Sequence, residues 1–140
     1  MKNSHPIKSS LVDKTPFAYY NPNPAGIHTG DCAYRGISAF FGITWMQSVL
    51  ELVLHAANKG LVNFTYITNI TSYMKAKGYG RKKPQKEMTI QEFIDTVAIS
   101  GHTYMIATKQ PRHITIVNPN KELTDIANCF GCIVKYYWER

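Results

Sequence analysis

The run from Gly30 to Arg35, GDCAYR, places the thiol of Cys32 at the expected start of a helix. A helix N-terminus carries roughly half a unit of positive charge and unpaired backbone N–H groups, which lower a cysteine pKa and can bind an oxyanion. A thiolate in that position is a nucleophile, and it needs a neighbouring side chain that takes the thiol proton as a base and later gives a proton to the leaving group as an acid. His113 and Asp125, on two strand-like segments far downstream, are the candidates for that base and for the acid that orients it. Together with Cys32 they predict nucleophilic catalysis through an acyl-enzyme.

The turn between the two strand-like segments decides whether His113 and Asp125 can meet. A three-residue hairpin loop at 118–120, with Asn120 in the left-handed conformation, sets His113 directly opposite Asp125. Opposed residues share a face of the sheet with Cβ atoms about 5 Å apart, which lets a carboxylate accept a hydrogen bond from the imidazole. A loop one residue shorter or longer sends Asp125 to the other face.

The loop before Cys32 supplies further candidates for the site. Asn21 and Asn23 are the candidate side-chain donors to an oxyanion, beside the backbone N–H of Cys32, and the sequence does not rank them. His28, four residues before the thiol, is a candidate to touch substrate, although a solvated loop histidine is the more ordinary role.

Asp31 and Arg35 flank the thiol on the expected helix. Asp31 has the residue type of an N-cap, so its side chain is expected to accept a hydrogen bond from the first turn. Arg35 can pair with Asp31 or Asp125, or bind a substrate carboxylate, and a structural ion pair is the commoner role. The sequence leaves these alternatives open.

The secondary structure expected around these residues is helical first and rich in strands later. Capping-box patterns at Thr44 and Thr89 predict two of the helix starts. The predicted helices cover about 32–41, 45–59, 65–77 and 90–101, and the predicted strands cover 103–108, 113–117, 122–126 and 132–138. This order predicts an α+β fold, with one domain at 17–140 behind a flexible N-terminal arm at 1–16.

Motifs along most of the chain give it a family resemblance. The motifs are NPNP at 21–24, GDCAYRGI at 30–37, GITW at 42–45, GY at 78–79, HITIV at 113–117, and TD at 124–125 followed by NC at 128–129. They look like those of small phage- and bacterium-encoded proteins of the papain-like cysteine peptidase fold, over about residues 19–138.

The resemblance implies N-terminal helices packed on a C-terminal antiparallel sheet, with the site in the cleft between them. It also implies Cys32 as the nucleophile, His113 as the general base and Asp125 as the orienting acid. Papain-type enzymes usually carry a glutamine before the cysteine, and none occurs between Met1 and Cys32, which leaves the oxyanion donor open. The fold hosts peptidases, isopeptidases, transglutaminases and amidases, so it does not select the reaction.

Composition and charge limit the setting in which the chain works. Its 140 residues hold no apolar segment near the roughly 20 residues of a membrane span, so we expect a soluble, cytoplasmic protein without a membrane partner, in the host cytoplasm if it is phage-encoded. Three cysteines, an odd number, are expected to be reduced. The formal net charge is +7, and six basic residues fall in one window, at positions 75, 77, 81, 82, 83 and 86. Such a window is usually solvated, but it could meet phosphates or an acidic protein.

These observations favour a thiol hydrolase acting on a peptide, isopeptide or related amide bond of a peptide or protein substrate, with no metal or organic cofactor. The alternative is a non-catalytic protein on the same fold that binds a host protein or nucleic acid through its cleft or basic segment. A metal site at Cys129 and Cys132 would need His102 and His113 to complete four ligands, which the sequence does not favour.

Overall fold

The computed structural model describes residues 17–140, and the predicted arm at 1–16 lies outside the described residues. Within that range the chain forms four helices and five strands: β1 (Phe17–Tyr19), α1 (Cys32–Phe41), α2 (Trp45–Asn58), α3 (Ile67–Ala76), α4 (Ile90–Thr96), β2 (Tyr104–Thr108), β3 (Ile114–Val117), β4 (Leu123–Asp125) and β5 (Val134–Glu139). The predicted α+β class is confirmed. None of the helices between residues 17 and 140 has, by itself, the length and apolar composition of a membrane span.

The sheet is mixed, which corrects the prediction of a wholly antiparallel one. Its strand order is β1-β4-β3-β2-β5, and β1 runs parallel to β4 with Phe17 beside Leu123 and Tyr19 beside Asp125. The remaining neighbours are antiparallel. β1 has only three residues, too few for an alternating pattern to appear, and its partner lies about a hundred positions away.

The β3–β4 register differs from the predicted one by two residues. Val117 pairs with Leu123, so the connecting loop spans 118–122 instead of 118–120. Asn118 organises this loop, because its side-chain oxygen accepts hydrogen bonds from two backbone N–H groups within it, each at 3.0 Å. Lys121, not Asn120, takes the left-handed conformation, with φ of 61°. A shift of two residues preserves the faces of the strands, so the predicted meeting of His113 with Asp125 survives the error.

Helices cover both faces of the sheet. Alternation along β2 explains this arrangement, because Met105 and Ala107 belong to the core beneath α1, α2 and α3, while Tyr104 and Ile106 belong to the core beneath α4. All five residues of β2 are buried. The helices α1, α2 and α3 therefore pack on one face of the sheet, and α4 packs on the other.

A glycine sets the distance between α1 and the sheet. A Cβ atom built at Gly36 would lie 2.5 Å from Cγ2 of Ile114 and 3.3 Å from Sδ of Met105. A β-branched side chain has little freedom to move aside. Gly36 thus lets α1 approach β3 closely, at the level where Cys32 and His113 must meet.

Local hydrogen bonds fix the starts of α2 and α4 as predicted. At Thr89 both halves of the capping box form, with Glu92 as the partner, at 3.1 and 3.0 Å. Thr44 accepts from the backbone N–H of Gln47 at 3.0 Å, but the Gln47 side chain turns to Glu51 instead of closing the box. α4 ends earlier than predicted, at Thr96.

Buried Asn69 on α3 holds the chain that leads into this helix. Its side-chain nitrogen donates to the carbonyls of Leu52 on α2, at 3.3 Å, and of Phe64, at 2.7 Å. These bonds tie the segment just before α3 to α2. The segment forms one wall of the candidate site.

Candidate active site

Cys32 is the first residue of α1, as predicted, and its thiol lines a cavity. Asp31 occupies the N-cap position before it. In the described part of the chain, the backbone N–H groups of Cys32, Ala33 and Tyr34 have no acceptor within hydrogen-bonding distance. Orphan donors of this kind, at the positive end of a helix, favour a thiolate and can receive an oxyanion.

The carboxylate of Asp31 does not cap the helix, which corrects the prediction. It is buried, and it pairs with Arg35 one turn along α1. It also accepts hydrogen bonds from Nε1 of Trp45 at 2.8 Å and from Nδ2 of Asn23 at 3.2 Å. A guanidinium and two further donors satisfy a buried carboxylate better than one backbone amide could, so the side chain turns inward.

Arg35 bridges the helix to the sheet. Its guanidinium pairs with Asp31, and Nη2 lies 3.4 Å from Oδ1 of Asp125 on β4. Only 6% of the Arg35 side chain is exposed. The two ion pairs that the sequence offered as alternatives thus both form, and they occupy the group that was also a candidate for binding a substrate carboxylate.

His113 and Asp125 form the imidazole–carboxylate pair that the sequence predicts. Nε2 of His113 lies 2.6 Å from Oδ2 of Asp125, whose side chain is 2% exposed. The other oxygen of Asp125 accepts from the backbone N–H of Ile126 at 2.7 Å. Asp125 sits two residues away from the position opposite His113, because the register is shifted, yet both side chains project from the same face. This bond fixes the ring and leaves Nδ1 as the nitrogen available to Cys32.

The charged form of His113 is strongly favoured. Burial alone lowers the pKa of His113, but hydrogen bonds to Asp125, Cys129 and Cys32 and the charge of Asp125 raise it to about 12. For Asp125 the effect of burial has the opposite sign, because it raises the pKa of a carboxyl group. The hydrogen bond and charge of His113 outweigh it, so the pKa of Asp125 lies below its ordinary value. The pair is therefore an imidazolium beside a carboxylate across the neutral pH range.

The thiol of Cys32 is shifted toward its thiolate. Burial raises the pKa of Cys32, but a hydrogen bond from His113, the backbone N–H of Ile114 and the charges of His113 and Arg35 lower it by more. Cys132 shows the opposite behaviour, because burial and the neighbouring Cys129 raise its pKa. Of these two thiols, Cys32 is therefore the one whose thiolate is favoured by its surroundings.

The cavity in front of Cys32 has a volume of about 360 Å³. His113 and Ile114 form one side of it, and the segment Thr65–Thr68 at the start of α3 forms another. Arg112 and Lys135 also line it. Arg112 could have been suspected as the neighbour of the predicted base, whereas the α3 segment and Lys135 carry no local signal because only the folded chain brings them here.

The predicted oxyanion donors lie elsewhere. Neither Asn21 nor Asn23 is among the residues that line the cavity. The side-chain nitrogen of Asn21 donates to the carbonyl of Ile27 at 3.2 Å, and that of Asn23 donates to Asp31. Both side chains also accept backbone N–H groups and so shape the turn before α1. The unpaired backbone amides at the start of α1 are the remaining candidate oxyanion donors.

His28, the other predicted substrate contact, is exposed on the loop before α1. Its Nε2 lies 3.0 Å from the hydroxyl of Tyr19, and it is not among the residues that line the cavity. The structure brings Cys32, His113 and Asp125 together and leaves His28 outside this group.

One cluster in the site has the donor atoms of a metal centre. A ring nitrogen of His113, a carboxylate oxygen of Asp125 and Sγ of Cys129 all lie within 4.8 Å of one another. His102, which the sequence offered as a ligand, pairs with Glu139 instead, at 2.8 Å. Two ligands on tetrahedral zinc, with bonds of about 2.0–2.2 Å, lie roughly 3.4 Å apart. The 2.6 Å between His113 and Asp125 is shorter and fits a shared proton better than a shared ion.

Comparison of this chain with protein families, with curated proteins and with solved structures finds no match. The papain-like relationship that the motifs suggest stays a prediction.

Proposed function

We propose that this chain is a thiol hydrolase that cleaves a peptide, isopeptide or related amide bond through an acyl-enzyme, with a papain-like arrangement of Cys32, His113 and Asp125. One observation carries the proposal. His113 is held by Asp125 at 2.6 Å while it lowers the pKa of a thiol that begins a helix and opens onto a cavity. A core cysteine with no chemical role needs neither the imidazole nor the cavity.

Acylation follows from the charges of the pair. The thiolate of Cys32 attacks the carbonyl carbon, a C–S bond forms, and the orphan amides of α1 stabilise the oxyanion. When the intermediate collapses, the C–N bond breaks and His113 gives its proton to the departing amine. The amine leaves, the acyl group remains on Cys32, and His113 is neutral.

Deacylation reverses the roles of the same groups. Neutral His113 takes a proton from water, and the resulting hydroxide attacks the thioester carbon. The C–S bond then breaks, which returns the thiolate to Cys32 and releases a carboxylic acid. Asp125 favours the imidazolium that each half-reaction uses or forms. An amine in place of water would give acyl transfer through the same steps.

A small activated ester tests the proposal without knowledge of the substrate. Wild-type chain and the His113→Ala and Cys32→Ala variants are incubated with p-nitrophenyl acetate and examined by intact-protein and peptide mass spectrometry. We expect acetylation of Cys32 with turnover in the wild type, slow acetylation of Cys32 without turnover in His113→Ala, and no enhanced acetylation in Cys32→Ala. Equal acetylation of Cys32, Cys129 and Cys132 in the wild type would contradict the proposal and favour a non-catalytic binding protein.

A further inference from the structure

A second cavity, of about 540 Å³, lies beside the catalytic one. We name it the basic groove, because three cationic side chains line it together with hydroxyl groups of α3: Lys59, Lys75, Arg81, Thr68, Thr71 and Ser72. Thr68 lines the catalytic cavity as well, so the two cavities share a wall. In the described part of the chain, no carboxylate lines either cavity.

The ring of Tyr136 connects the cationic groups of the two cavities. The guanidinium of Arg81, from the basic groove, lies 3.8 Å from the ring centroid. Nζ of Lys135, from the catalytic cavity, lies 5.4 Å from it, and Nζ of Lys83 lies 6.0 Å from it. Each cation is attracted to the ring face, but the three repel one another. An anion placed among them would relieve that repulsion.

The ion pairs of the described residues leave this positive charge uncompensated. Three lysines outside the two cavities have carboxylate partners: Lys77 with Glu51, Lys82 with Glu139, and Lys109 with Glu87. Five lysine and arginine residues line the two cavities, and no described carboxylate pairs with them: Lys59, Lys75, Arg81, Arg112 and Lys135. These five unpaired charges lie around the thiol and along the groove that adjoins its cavity.

We propose that the substrate is a polypeptide segment with clustered Asp or Glu side chains, which the basic groove and Lys135 hold while the amide bond lies at Cys32. This inference rests on the proposed function, since a thiolate attacks acyl carbons and a nucleic acid presents none in its backbone. Thr68 and Thr71 are about 4.5 Å apart along α3, at 1.5 Å per residue. An extended peptide covers about 3.3 Å per residue, so the acidic side chains would lie within a few residues of the scissile bond.

Binding tests the substrate class separately from catalysis. The full chain with Cys32→Ala, which prevents turnover, is titrated into a fluorescein-labelled peptide of alternating Glu and Ala and into a matched peptide of Gln and Ala, with fluorescence anisotropy as the readout. We expect the Glu peptide to bind more tightly and to weaken as salt rises. Arg81→Gln combined with Lys135→Gln should weaken it about five- to tenfold, from the usual worth of exposed charge pairs. Lys86→Gln, which lies outside both cavities, removes one charge and should change affinity less than twofold.

Three results would overturn the inference. The first is equal binding of the Glu and Gln peptides. The second is an equal loss of affinity from the paired substitution and from Lys86→Gln. The third is displacement of the Glu peptide by single-stranded RNA of equal charge at a lower concentration, which would identify a nucleic-acid site. Selective peptide binding without acetylation of Cys32 would refute the proposed function alone. Acetylation without selective binding would refute the substrate class alone.

Discussion

Replacement of Asp125 by Asn should change the acidity of His113 by a predictable amount. The Nε2–Oδ2 distance is 2.6 Å and the carboxylate is buried, so the hydrogen bond is a charge-assisted one. Bonds of this kind are worth about 1.5–3 kcal/mol, and Asn keeps an acceptor oxygen without the charge. At about 1.4 kcal/mol per unit, the pKa of His113 should fall by about 1–2 units.

The fall has a measurable consequence near pH 10. With a pKa of about 12, His113 of the wild type is almost wholly imidazolium at that pH. In Asp125→Asn, between roughly a tenth and a half of the ring should be neutral. Histidine-labelled protein, observed by NMR from pH 6 to 10, measures this fraction, and the resonance missing from His113→Gln identifies the ring.

Glu139→Gln is the matched control, because Glu139 pairs with His102 at 2.8 Å. It removes an equal charge from a more exposed imidazole–carboxylate pair and should leave the titration of His113 unchanged. The reasoning is refuted if His113 of the wild type titrates near 6.5, the ordinary value for histidine. It is equally refuted if Asp125→Asn does not lower the pKa.

Three further changes test how the site is built and charged. Arg35→Met leaves two buried carboxylates without their shared partner and should lower the free energy of unfolding in urea by about 3–5 kcal/mol. Lys77→Met, at an exposed ion pair, should lower it by less than about 1 kcal/mol. Equal losses of stability would contradict the bridging role of Arg35. Gly36→Ala places a methyl group against Ile114, so it should lower the free energy of unfolding by about 1–3 kcal/mol and slow the alkylation of Cys32. An unchanged unfolding midpoint would show that α1 has room for the methyl group. As pH increases, the kcat/KM for an ester, corrected for spontaneous hydrolysis, should rise through the pKa of Cys32, which lies below 9.0. It should then stay level to pH 10, because the imidazole of His113 keeps its proton. A decline between pH 7 and 9 would contradict the raised pKa of His113.

Local chemistry made much of the fold predictable. The capping residues Thr44 and Thr89 marked helix starts correctly, and the predicted strands lie within two residues of the observed ones at every boundary. These features depend on hydrogen bonds or alternation within a few residues. The parallel pairing of β1 depends instead on a partner far along the chain, and three residues carry too little pattern to reveal it.

In the candidate site, the pairing of His113 with Asp125 was predictable from the sequence, but the partners of Asp31 and the residues around the cavity were not. His113 and Asp125 meet because both the expected and the observed register keep an odd-length loop, which holds the two side chains on one face. Asp31 was misread as a cap because its stronger partners, Arg35 and Trp45, are brought to it by helix geometry and tertiary packing. The cationic residues around the cavity come from segments that only the folded chain unites.

The central claim is that His113 makes Cys32 a thiolate, and competitive alkylation with iodoacetamide at pH 7 tests it most directly. An ordinary thiol with a pKa of 9.0 is about one per cent ionised at that pH. Peptide mass spectrometry should find Cys32 labelled well ahead of Cys129 and Cys132 in the wild type. That advantage should be lost in His113→Ala, where only the backbone N–H of Ile114 and the charge of Arg35 still oppose the effect of burial on the thiol. Equal labelling of all three cysteines in the wild type, or an advantage for Cys32 that survives in His113→Ala, would contradict the claim.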